Sequence, residues 1–318
     1  VDLSGVEITK QSPLAPVGVQ QLGGVTVDAL SNHVFLLDAA RQRIIRVPLT
    51  SLNSAERLRP GSSLSIALSH LNAGTLSSLA INPQNRHLYI LSSEDRMIFE
   101  VNMRGRLLNR YELESAGIGN PHSLVIAPSS NPTDDPAVMN LYVVDGSRQG
   151  ESLSDTATVG RIVELTTIIA LDPVPGYPVD DASLVRATNT YQLSPPSPDP
   201  SGLAYLPDSN SLIISDGEVN EIPHLFTGDN LFEITLGGAL IDTLTSLPSS
   251  NEPTGIALNP TNGHLFISDD TGMRGFYEVN PGPDGQFNTG DDIVTSIDMG
   301  PLGSTCLLYT SPSPRDRT

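Results

Sequence analysis

Short apolar runs recur along this chain, each bounded by turn-forming residues. The most apolar copies read Val34–Asp38, Leu88–Ser92, Leu141–Asp145, Leu212–Asp216 and Leu265–Asp269, and four of the five end on aspartate. Apolar side chains at consecutive rather than alternate positions require burial on both faces of a strand. Before each copy lies another apolar run that opens on a small residue: Gly24, Ser78, Ser123, Gly202 or Gly255. Between the two stand segments such as Asn82-Pro83-Gln84-Asn85 and Asn259-Pro260-Thr261-Asn262-Gly263, which are hairpin turns by composition. A third run follows each hairpin: Ile45-Arg46-Val47, Phe99-Glu100-Val101, Val163-Glu164-Leu165, Phe232-Glu233-Ile234 and Tyr277-Glu278-Val279. Its alternation predicts a strand with one face in water. A weaker fourth run covers 64–68, 106–111, 184–188, 239–244 and 293–297.

Four antiparallel strands per unit, repeated, predict an all-β fold: a β-propeller of four-stranded antiparallel blades. Five blades are visible and six are expected in the intact protein, with a complete five-bladed ring as the competing count. Residues 1–18 read as an outer strand and linker, 19–305 as the propeller, cut before a last blade, and 306–318 as a non-native tail. That tail, Cys306 to Thr318, has no counterpart in any repeat and resembles one translated frame of a sequencing-library adapter.

Composition narrows the function classes. The 27 glycines and 26 prolines suit many tight connections, and the absence of tryptophan excludes the Trp-Asp type of repeat. Asp and Glu number 36 against 17 Lys and Arg, for a net charge of −19. Such a field repels phosphate backbones and anionic lipid, so neither nucleic-acid binding nor membrane insertion is expected. It attracts cations, and it equally serves the solubility of a secreted or cell-surface protein.

In a blade the start of the first strand and the end of the second share one face. Three residues before the aligned Gly/Ser stand Gln21, Thr75, Asn120, Asp199 and Glu252, the last three each followed by proline. Asn120, Asp199 and Glu252 are therefore expected on one rim of the channel, where oxygen ligands suit a hard cation such as Ca²⁺. Asp38, Asp145, Asp216 and Asp269 fall on the same face. An aspartate there commonly accepts backbone N–H bonds, and that reading is preferred for Asp38 and Asp145. Asp216 and Asp269, with Asp270 beside the latter, lie in acid-rich loops that suit a second cation. Asp284, Asp291 and Asp292 crowd a loop on the opposite face, either as a calcium loop or as a solvated turn. His122 sits at the channel mouth as a candidate general base. His33, His87 and His264 each precede the second strand and read as repeat structure.

The Asn/Asp/Glu-Pro starts and the Ile-Ser-Asp-Asp strand end resemble the NHL/SMP-30-type propellers over about residues 19–304, and among them the secreted SdiA-regulated and esterase-like phytase kinds. In SMP-30-type lactonases a Glu and Asn/Asp residues at the channel mouth hold a divalent metal, and the resemblance implies that role for Glu252, Asn120 and Asp199. Gln21 and Thr75 depart from it, and the acidic rim departs from a phosphate-receiving phytase. The leading expectation is a calcium-associated, extracellular, monomeric binding or scaffold module that takes a small molecule, glycan or protein at its channel face. The alternative is a metal-dependent hydrolase, of lactonase or phosphoesterase type, with His122 as base.

Overall fold

The structure, a computed structural model, describes residues 9–11, 18–51, 63–135, 137–146, 160–167, 179–247, 249–269 and 275–298. It is all β, with single-turn 3-10 segments as its helical elements among the described residues. A short strand β1, Thr9–Gln11, comes first. Blade one holds β2 (Leu22–Asp28), β3 (His33–Asp38), β4 (Arg43–Pro48) and β5 (Leu64–Ala67). Blade two holds β6 (Leu76–Ile81), β7 (Leu88–Ser92), β8 (Met97–Val101) and β9 (Leu107–Glu112). Blade three holds β10 (Pro121–Pro128), β11 (Met139–Asp145), β12 (Arg161–Thr167) and β13 (Val179–Asn189). Blade four holds β14 (Pro200–Leu206), β15 (Ser211–Asp216), β16 (Leu231–Thr235) and β17 (Leu240–Leu244). Blade five holds β18 (Pro253–Leu258), β19 (Leu265–Asp269), β20 (Gly275–Asn280) and β21 (Ile293–Asp298).

Within each blade the strands pair antiparallel in chain order. Two parallel pairings join what lies outside that order: β1 adds to the outer edge of β21, and the start of β13 pairs with β9 of the preceding blade.

Among the described residues five apolar clusters hold the blades together, and each lies between two blades rather than within one. Leu37, Ile44 and Phe99 share a cluster between blades one and two, Tyr111 and Val163 between two and three, Val144 and Phe232 between three and four, and Ile213 and Ile267 between four and five. The fifth cluster joins Leu36 and Ile45 of blade one to Phe266 and Phe276 of blade five. The described blades thus close as a ring of five.

The same packing corrects the expectation for the third strand. Glu100, Glu164 and Glu278 are buried, not turned to water, because the next blade covers that face. Each carboxylate is paired. Glu100 bonds His87 Nδ1 at 2.6 Å and accepts from the Tyr111 hydroxyl at 2.7 Å, Glu278 bonds His264 Nδ1 at 2.7 Å, and Glu164 accepts from Asn140 Nδ2 at 2.7 Å and Ser130 N at 2.9 Å. His87 and His264 are thus one half of this lock, whereas His33 bonds the Ser31 carbonyl and meets Arg46 instead of a glutamate.

Candidate functional site

The inner strands β2, β6, β10, β14 and β18 surround a central channel with a cavity of about 240 Å³. They approach one another closely at the aligned small residue. A Cβ on Gly24 would sit 2.8 Å from the backbone N of Leu79, which is why the first apolar run opens on Gly or Ser. Below that level the wall is apolar, formed by residues such as Val25, Leu79, Leu124, Leu203 and Ile256.

One residue above it, every inner strand carries a β-bulge. The register shifts between Leu22 and Gly24, Leu76 and Ser78, Pro121 and Ser123, Pro200 and Gly202, and Pro253 and Gly255. The extra residues are Gly23, Ser77, His122, Ser201 and Thr254. A bulge re-aims its side chain, and four of these five are polar. Sequence reading singled out His122 but missed the ring; the signal was present, since the residue before each aligned Gly/Ser is small or polar in every copy.

The aspartates that end the second strand hold the approach to the bulge. Asp38 Oδ1 accepts from the N–H of Gln20 and Gln21 at 3.2 and 3.3 Å, and Asp145 Oδ1 from those of Gly119 and Asn120 at 3.1 and 2.7 Å. Arg43 and Arg161 occupy the other oxygens. Asp216 takes the same role without an arginine: its carboxylate accepts from Ser197 Oγ, Asp199 N, Glu218 N and Val219 N at 2.7–3.1 Å. Asp269 accepts from Ser250 Oγ. In blade two, where Ser92 stands in place of aspartate, Glu94 and Asp95 supply the carboxylates to Thr75 N and Gly74 N.

Asn120, Asp199 and Glu252 stand in register, each immediately before the first residue of an inner strand. Each is half-buried and already engages other groups of the chain. Among the described residues, no three His, Cys, Asp or Glu side chains are grouped so as to hold a metal ion. Asp270 lies outside the described residues. Asp284, Asp291 and Asp292 sit between β20 and β21, where Asp284 Oδ1 accepts from Gln286 N at 2.8 Å and Asp292 Oδ2 from Asn288 N at 2.7 Å. His224 is exposed in the loop before β16.

Two titrating groups on the channel face are strongly displaced. Burial pushes His122 down to about 4, against the opposing pull of Asp145. Burial, reinforced by the charge of Asp199, pushes Asp216 up to about 6 despite its hydrogen bonds. Asp216 therefore binds its proton more tightly folded than unfolded, so its contribution is fully present below pH 4 and is lost as pH rises through 6. Wild type should accordingly lose about 2–3 kcal/mol of stability relative to Asp216→Asn between pH 4 and pH 7. Urea titrations of both proteins across that range check this, and parallel profiles would refute it.

The SdiA-regulated family profile matches residues 20–124. Over that stretch the resemblance read from the sequence is borne out. No curated protein sequence matches the chain. Among solved structures, the nidogen/laminin complex aligns at 16% identity and a TM-score of 0.50, covering 88% of this chain and 86% of that one. At that identity the likeness carries the fold alone. A gluconolactonase from Xanthomonas campestris aligns at 16% identity, TM-score 0.47, over 89% of this chain and 78% of its own. The calcium-binding protein regucalcin from Agrobacterium tumefaciens aligns at 15% identity, TM-score 0.49, over 91% of this chain and 79% of its own. No helix among the described residues is long and apolar enough to cross a membrane.

Proposed function

We propose, on the premise that residues 20–124 belong to an SdiA-regulated segment of a β-propeller, that this chain is a binding module whose central channel takes a small, largely apolar molecule. The single observation that carries this reading is the channel itself: about 240 Å³ of space, walled by apolar side chains of the five inner strands. Ligand pockets are usually concave, mostly apolar and provided with a few polar groups, at roughly 300–1,000 Å³ for drug-sized molecules. The smaller volume here suits a fragment-sized ligand. The acidic surface supports a secreted or cell-surface setting, with the propeller as one monomeric unit of a larger protein.

The alternative, a metal-dependent hydrolase, is favoured by one observation: Asn120, Asp199 and Glu252 occupy equivalent positions on one rim. As residues they fit a hard cation such as Ca²⁺, which would supply a Lewis acid to a substrate oxygen. His122 fits that role less well. A general base works best when its pKa lies near the operating pH, and burial holds His122 near 4.

Two experiments separate the readings. The neutral fluorophore N-phenyl-1-naphthylamine should bind wild type and lose about tenfold or more in affinity in Val125→Trp, which fills the channel from its wall. Equal binding to both proteins would count against a channel ligand. For the hydrolase, Ca²⁺ should raise the melting temperature of wild type but not of Asp199→Ala or Glu252→Ala, and a lactone or phosphomonoester should turn over.

A further inference from the structure

We propose that the ring of bulge residues, with Ser77, His122 and Thr254 as its binding groups, is a head-group site that selects a neutral hydrogen-bonding function, such as a primary amide or alcohol, on the apolar molecule occupying the channel. The proposal rests on the channel reading above and adds to it the chemistry of the ligand's polar end.

The ring holds buried polar atoms without a hydrogen-bond partner among the described residues. Ser77 Oγ, Thr254 Oγ1 and both ring nitrogens of His122 are shielded from water and have no hydrogen-bond partner. All three residues line the channel. Thr254 is only 7% exposed, so its hydroxyl is withdrawn from bulk solvent. A buried hydroxyl or imidazole without a partner is costly and rare. Here the cost falls at equivalent positions of three blades, and all three residues line one channel, which marks a shared cause rather than a local packing defect. By contrast, Ser201 of the same ring spends its hydroxyl on the carbonyl of Asp199 at 3.2 Å, and Gly23 carries no side chain.

The geometry also holds His122 rigidly. Its ring lies against Gly146, where a Cβ would come within 2.6 Å of Cε1. Gly146 N in turn donates to the carbonyl of Asn120 at 2.8 Å, closing the turn over the imidazole. The imidazole held there presents two ring nitrogens, and each hydroxyl can both donate and accept. This set matches a head that both donates and accepts. No Lys or Arg among the described residues lines the channel, and the whole chain carries −19. An anionic head is therefore disfavoured by the local field.

Two probes of equal chain length test the head group: hexanamide and hexanoate, each titrated into the full chain while the His122 imidazole signals are followed by NMR. Hexanamide is expected to bind with a Kd below about 1 mM and about tenfold tighter than hexanoate, and to shift the His122 ring resonances. His122→Phe keeps the ring over Gly146 but removes both nitrogens, and should weaken hexanamide about tenfold. Thr254→Val keeps the shape and should weaken it about threefold, with a melting temperature at or above that of wild type, because an unsatisfied hydroxyl has been removed. Equal affinity for the two probes, or hexanamide binding unchanged in both variants, would overturn the head-group site and leave the channel reading standing. Absence of binding by either probe, with His122 unshifted, would mean that water alone fills the ring, and both readings would fall.

Discussion

Truncating Phe276 to alanine is expected to lower the unfolding free energy by about 3–5 kcal/mol. Phe276 is fully buried, its ring centroid is 5.3 Å from that of Phe266 at an interplanar angle of 60°, and both belong to the cluster shared with Leu36 and Ile45 of the first blade. The residue therefore joins the last blade to the first, and its loss opens a cavity where the ring closes. Phe232→Ala, in the cluster between blades three and four, should cost a similar amount, because one interface of a closed ring is physically equivalent to another. Urea unfolding of both variants provides the test. A loss below about 1.5 kcal/mol for Phe276→Ala alone, far less than such a cavity costs, would mean that the first and fifth blades do not share this core.

Glu164→Ala should be comparably severe, at about 3–5 kcal/mol. The carboxylate is 1% exposed and is the acceptor for Asn140 Nδ2, Ser130 N and Ser130 Oγ. Removing it strands the buried Asn140 amide and takes the acceptor from two donors of the half-buried Ser130. Glu164→Gln keeps the length and one accepting oxygen but turns an amide N–H₂ toward other donors, so an intermediate loss of about 1–3 kcal/mol is expected. Thermal and urea unfolding measure both. A change within about 0.5 kcal/mol for Glu164→Ala, the range of ordinary surface substitutions, would restore the solvent-facing strand that alternation alone suggests.

That strand shows where reading along the chain stopped short. Phe-Glu-Val and Val-Glu-Leu alternate correctly, and the residues of one face do point together. Alternation does not say what covers the face, however. In a ring each sheet is sandwiched between two others, so Glu100, Glu164 and Glu278 are enclosed and need His87, Asn140 and His264 as partners. The preference for structure at Asp38 and Asp145 extends to Asp216, whose two oxygens together accept four hydrogen bonds. The ring at the channel mouth escaped notice for a different reason. A bulge displaces one residue by a single position, and nothing local in Pro-His-Ser or Pro-Thr-Gly shows that the middle residue is the displaced one.

What the amino-acid order determined by itself is the repeating unit: apolar runs of strand length, turn formers between them, and aspartates at fixed places predict four-stranded blades and the face on which their ends meet. These are local properties, set by periodicity and turn chemistry. Tertiary structure alone decided how many blades close, which carboxylates are buried, and that polar side chains from separate blades converge on one space. Those outcomes depend on residues distant along the chain coming together, such as Leu36 and Phe276 in one core cluster or Ser77 and Thr254 in the lining of one channel. They do so only once the last blade has come round to the first.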